Sequence, residues 1–110
     1  MKETLLIKHA VGGRTFLDTD KQPVAYQWEQ SGTGWRLIVH KLSKASIEQI
    51  LTWKDELNLF LFQQVPGEPM KKIWFYIKEG QVMYDEAKEE LTIEADSRIE
   101  YIPDTFGSLH

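Results

Sequence analysis

The sequence predicts an α+β domain. Its sheet is mostly antiparallel, curled or closed into a partly open barrel, with about eight to nine short strands and one helix between the fourth and fifth. Three observations predict it. Stretches of alternating apolar and polar residues recur along the chain, separated by short turn-rich segments. One stretch, beginning at Ser46, carries helical spacing instead. The strongest strand signature, Lys71-Lys72-Ile73-Trp74-Phe75-Tyr76-Ile77-Lys78-Glu79-Gly80, follows that helix, so hairpins precede it and a meander follows it.

The chain has 110 residues, enough for one domain with its own core. Residues 1–103 are read as that domain and residues 104–110 as a polar tail with Phe106 as its anchor. Without cysteine there is no disulfide, no thiolate nucleophile and no cysteine-based zinc site. A formal net charge of -4 argues against broad binding to a phosphate backbone. The apolar run after Met1 is too short for a signal peptide, and no stretch is long enough to span a bilayer. A soluble, cytoplasmic protein is the expectation.

Thr4 to Ala10 reads as a first strand, with Leu5 and Ile7 on one face and Leu6 and Lys8 on the other. Gly12-Gly13 is a turn, and Arg14 to Leu17 a short second strand. Val24 to Gln30 and Trp35 to His40 alternate around Ser31-Gly32-Thr33-Gly34. A two-residue loop at Ser31-Gly32 sets Trp28 opposite Trp35, Tyr26 opposite Leu37 and Val24 opposite Val39.

Ser46 and Gln49 fit a capping box, and Ile47, Ile50, Leu51 and Leu57 follow near helical spacing, which predicts a helix over Ser46 to Glu56. Leu57 to Gln64 is apolar on both faces, as in a central strand. Val65 to Pro69 is a proline-bounded loop. The next strand ends in a predicted hairpin at Glu79-Gly80, with Tyr76 opposite Met83 and Trp74 opposite Asp85. Asp85 to Glu90 is an acidic turn. Leu91 to Ala95 and Arg98 to Ile102 form a last hairpin around Asp96-Ser97, and Pro103 ends the sheet.

No motif for catalysis, metal or nucleotide binding stands out. Asp18 and Asp20 lack the glycine and glutamate of a calcium loop and read as a solvated turn. Val11-Gly12-Gly13-Arg14 has no helix behind it to hold a phosphate. His9 and His40 would approach each other if the first and fourth strands were neighbours, but no partner motif accompanies them. The sequence therefore implies no catalytic residue, no cofactor and no metal.

The remaining candidate is one face of the organising strand: Lys72, Trp74 and Tyr76, with Met83 beside them and Lys78 at the border. Tryptophan, tyrosine and methionine are enriched where proteins bind one another. Two readings of that face are open. The stripe of Ile47, Ile50 and Leu51 covers it as core, or it is a patch for a partner. The second reading implies a small non-enzymatic interaction module, an assembly subunit, adaptor or inhibitor, whose partner is another protein or its own copy in a homodimer. Edge strands offer it a second mode of pairing. A small-molecule pocket lined by Trp28, Trp35 and Phe62 is the alternative. Single-stranded nucleic acid stacked on Trp74 and Tyr76 is disfavoured by the acidic charge.

Overall fold

The structure, a computed structural model, describes residues 2–102, with residues 78–80 described by backbone alone. The expected tail over 104–110, Phe106, His110 and the sheet end at Pro103 lie outside the described residues.

Alternation of apolar and polar residues gives strands β1 (Lys2–His9), β2 (Thr15–Asp18), β3 (Tyr26–Ser31) and β4 (Gly34–His40). Helix α1 (Lys44–Thr52) comes next, followed by β5 (Leu57–Gln64), β6 (Lys71–Asp85) and β7 (Glu90–Tyr101). All seven strands form one sheet in the order β2-β1-β5-β6-β7-β4-β3, and every pairing is antiparallel. The sheet curls into a half-barrel with the helix on its inner side.

The strand count is lower than expected because two predicted hairpins are a single long one. β6 runs through Glu79-Gly80, and β7 runs through Asp96-Ser97. The chain reverses at residues 86–89, where Asp85 pairs with Glu90. The two supposed turns lie level with each other across the ladder. Ile77 pairs with Ala95 and the next pair is Val82 with Ile93, so residues 78–81 of β6 have no single partners opposite. On β7, Asp96 is passed over between Ala95 and Ser97. Bulges bend strands and increase their twist. Turn-forming residues here mark the bend of a hairpin rather than its end.

That bend divides the sheet's work. The first half of β6 pairs with β5 from Lys71 opposite Gln63 to Phe75 opposite Leu59. The first half of β7 pairs with β4 from Glu90 opposite His40 to Ala95 opposite Trp35. The concave face between the halves holds the core, including Leu5, Ile7, Leu59, Ile73, Phe75, Val39 and Ile93. Burial of this apolar surface is the main favourable term in folding.

The β3–β4 register is two residues away from the expectation. Tyr26 pairs with Val39, Trp28 with Leu37 and Gln30 with Trp35, and the loop is Gly32-Thr33. A shift of two keeps every side chain on its predicted face. It moves the two tryptophans from directly opposite to diagonal, with ring centroids 5.4 Å apart. Gln27 accordingly sits opposite Ile38 and Glu29 opposite Arg36. Gly34 lets β4 lie close to β7: a Cβ there would run into the carbonyl oxygen of Ala95.

The helix begins earlier and ends earlier than predicted. Ser43 is its cap, its Oγ accepting from the Ser46 amide at 3.2 Å, so Ser46 is the capped residue and not the cap. At the other end, the Glu56 amide donates to the Trp53 carbonyl and the Glu56 carbonyl accepts from Ala10. Those two bonds turn the chain into β5. Ile47 and Ile50 are in the core cluster and Leu51 packs against it. The stripe therefore lies on the concave face, and it does not cover Trp74 and Tyr76.

Candidate functional site

The alternation that sends Ile73 and Phe75 inward sends Lys72, Trp74 and Tyr76 outward. Their neighbours follow from the ladders. Phe60 lies opposite Trp74 and Phe62 opposite Lys72 on β5, while Ile99 lies opposite Trp74 and Tyr101 opposite Lys72 on β7. The outer face therefore carries a row of four rings, Phe62, Phe60, Trp74 and Tyr76. Successive centroids are 6.5, 6.1 and 6.4 Å apart. These tilted arrangements fall within the range of favourable aromatic pairs.

Lys72 occupies one end of this row. Its ammonium stands 4.4 Å from the centroid of Phe60, 5.3 Å from Phe62 and 5.6 Å from Tyr101. Ring faces carry negative potential, so such a cage holds a cation. At the other end Tyr76 is 62% exposed and Ile99 55% exposed. Trp74 is partly buried, and its Nε1 is covered with no hydrogen-bond acceptor among the described residues. The indole thus offers its ring and not its donor.

Met83 is also outward and 60% exposed, but its place differs from the expectation. It lies beyond the bulge, opposite Thr92, whereas Tyr76 lies opposite Ser97. The predicted Tyr76–Met83 and Trp74–Asp85 pairs belonged to the hairpin that does not form. Four members of the face, Phe60, Phe62, Ile99 and Tyr101, escaped the sequence reading. Phe60 and Phe62 were signalled by opposite parity to Leu57, Leu59 and Leu61; Ile99 and Tyr101 needed the long-hairpin register.

Two clefts flank the row. At the Phe62 end a space of ≈ 420 Å³ is lined by Lys2, Asp20, Phe62 and Met70 among others. Its two acids are already engaged: Asp20 accepts from Thr4 at 3.0 Å and pairs with Lys2 at 3.6 Å, and Asp18 accepts from the Asp20 amide. At the Tyr76 end a space of ≈ 310 Å³ is lined by Asp55, Glu56, Asn58, Trp74, Tyr76 and Ile77, with Ala10 and Leu57. It opens just past the last β5–β6 pair, Leu59 with Phe75, where the two strands part.

The interior offers less room. Trp28, Trp35 and Phe75 meet on the concave face, and the Arg98 guanidinium stacks 3.9 Å from the Trp35 centroid. The cavity among them measures ≈ 10 Å³, room for about one water at most. Phe62 is on the opposite face, so the predicted Trp28–Trp35–Phe62 pocket is not assembled.

The histidines are apart as well. β1 and β4 are separated by β5, β6 and β7. His9 lies between Trp53 and Phe16, with centroids at 4.8 and 6.0 Å, and 3.6 Å from Glu56. His40 sits opposite Glu90. Asp18 accepts from the Asp20 amide in a local turn. Among the described residues no three histidine or acidic side chains gather where a metal could bind. No helix among them is long and apolar enough to cross a membrane.

Comparison with protein-family models, with curated proteins and with solved structures finds no match for this chain.

Proposed function

We propose that the protein is a non-enzymatic interaction module that binds another protein through the outer face of β5, β6 and the end of β7. The observation that carries this reading is the row Phe62–Phe60–Trp74–Tyr76 on the face the helix leaves open, with Tyr76 and Ile99 exposed. Contiguous exposed apolar surface of this kind marks binding sites, and aromatic anchors dominate their energetics. Self-association belongs to the same reading, because a second copy presents the same face. Edge strands β2 and β3 add a route for strand pairing between copies.

The test uses affinity capture and sedimentation with the wild type and the Trp74→Ala/Tyr76→Ala variant, with folding checked by circular dichroism. A partner, or a dimer, lost only in the folded variant supports the proposal. Identical capture and identical mass for the two proteins would overturn it. Because Trp74 also packs on Phe60, Tyr76→Glu is the control that alters the face without opening the row.

A further inference from the structure

We infer that the cleft at the Tyr76 end of the ring row receives a cationic side chain, a lysine ammonium or an arginine guanidinium, from the partner polypeptide. This inference rests on the interaction reading and names the chemistry of the partner's anchor.

Three observations converge on it. The first is the wall. Trp74 and Tyr76 line the cleft, and tryptophan and tyrosine faces are the strongest side-chain attractors of organic cations. The second is the rim. Asp55 and Glu56 both line the same space. Among the described residues no lysine or arginine pairs with either; Glu56 has only His9 beside it, at 3.6 Å. At the Phe62 end, by contrast, Asp20 is paired with Lys2 and Asp18 accepts from the Asp20 amide. Aromatic walls with free carboxylates complement a cation that also has a hydrocarbon stem.

The third is a precedent within the molecule. The same row already holds one ammonium, that of Lys72, among Phe60, Phe62 and Tyr101. One end of the row is thus filled by the protein's own lysine, and the other end has the rings and the acids with no cation among the described side chains. The cleft volume, ≈ 310 Å³, is at the small end of the range for ligand sites and suits one long side chain better than a large ligand. Two carboxylates beside aromatic rings are a poor set for a hard metal cation, which takes about six oxygens.

The test follows amide and indole signals of the ¹⁵N-labelled full chain. The probe is a capped lysine–alanine hexapeptide; its controls are the norleucine–alanine counterpart and tetramethylammonium chloride. Trp74→Phe assigns the indole signal. The expected result is saturable movement of the Trp74 and Tyr76 signals with the lysine peptide and little with norleucine. Asp55→Asn/Glu56→Gln should weaken that binding about tenfold, the size expected for two partly exposed ion pairs. Equal response to norleucine would overturn the cation inference while leaving an apolar interaction face standing. Equal response to tetramethylammonium would overturn the assignment to a polypeptide. No response to any probe, with a partner still lost on Tyr76→Glu, would overturn the inference alone. Failure of the interaction reading shows separately, as capture and mass that Tyr76→Glu leaves unchanged.

Discussion

The hydroxyl of Tyr26 donates to Glu3 Oε1 at 2.7 Å, joining strands that share no ladder. Tyr26 is on β3, at one end of the sheet order, and Glu3 is on β1, next to the other end. The second oxygen of Glu3 accepts from Gln63 Nε2 on β5 at 2.7 Å. A single carboxylate therefore laces three strands across the open side of the half-barrel. Burial first, then the bond to Glu3 and the charges of Glu3 and Asp20, hold the Tyr26 hydroxyl well above the usual tyrosine range.

Tyr26→Phe keeps the ring and removes the link. The expected cost near neutral pH is about 1 kcal/mol, which for a domain of this size lowers Tm by roughly 4–8 °C. The pH dependence has a definite sign. The folded state keeps the Tyr26 proton after the unfolded chain has released it, near pH 10. The stabilisation is thus complete below about pH 10 and is lost as pH rises further. Urea unfolding of both proteins at pH 7 and about pH 11 checks this: the wild-type advantage should shrink at the higher pH. An unchanged difference would show that the hydroxyl does not close the seam.

The two glycines of the β3–β4 hairpin should fail for different reasons. Gly34→Ala drives a methyl into the Ala95 carbonyl, a backbone group with nowhere to go, and should cost about 1–3 kcal/mol or more. Gly32 has open space but a φ of +60°, so Gly32→Ala should cost about 1–2 kcal/mol from backbone strain. Asparagine tolerates that conformation, and Gly32→Asn should recover most of the loss. Chemical denaturation of the three variants orders them. A Gly34→Ala protein as stable as wild type would show that β4 and β7 do not approach so closely at Ala95.

The same hairpin shows what the sequence could and could not specify. Alternation assigned Trp28 and Trp35 to the inner face correctly, yet alternation is unchanged by a slip of two, so it could not choose between loops. The Gly34–Ala95 approach, a contact between the distant segments β4 and β7, was equally out of its reach. Strands with one apolar parity, such as Leu5 and Ile7, were legible, and so was the span Leu57–Gln64. The long β6–β7 hairpin was not. Glu79-Gly80 and Asp96-Ser97 have turn chemistry, and only tertiary pairing shows that they bend opposite strands at one level. The candidate face was legible as Lys72, Trp74 and Tyr76. That the helix would leave it open was not, because β5 and β6 are apolar on both sides and the direction of curl decides which side is inside.

Lys72 lends itself to a clean substitution. Lys72→Met keeps an unbranched stem over Phe60 and Phe62 and removes the charge. The expected loss is about 0.5–1 kcal/mol, the worth of a cation over rings at a partly exposed site. Raising salt should narrow the gap between the two proteins only slightly, since ring contact at 4.4 Å is short compared with the screening length. Thermal melts at low and high ionic strength measure both. A gap that vanishes in salt would assign the effect to a diffuse surface charge instead of the cage.

Trp28 and Tyr76 divide the aromatic residues by role. Trp28 packs against Trp35 and Phe75 at 5.4 and 5.9 Å on the concave side, and Trp28→Ala should cost about 3 kcal/mol, the low end for a large aromatic because the ring is only partly buried. Tyr76 is mostly exposed, and Tyr76→Ala should change stability by no more than about 0.5 kcal/mol. Paired urea titrations test the contrast. If Tyr76→Ala destabilises as much as Trp28→Ala, its ring belongs to the folded core, and the outer face loses its claim to be kept for a partner. If only Trp28→Ala destabilises, the fold does not require Tyr76, and the outer face stays free for the proposed partner.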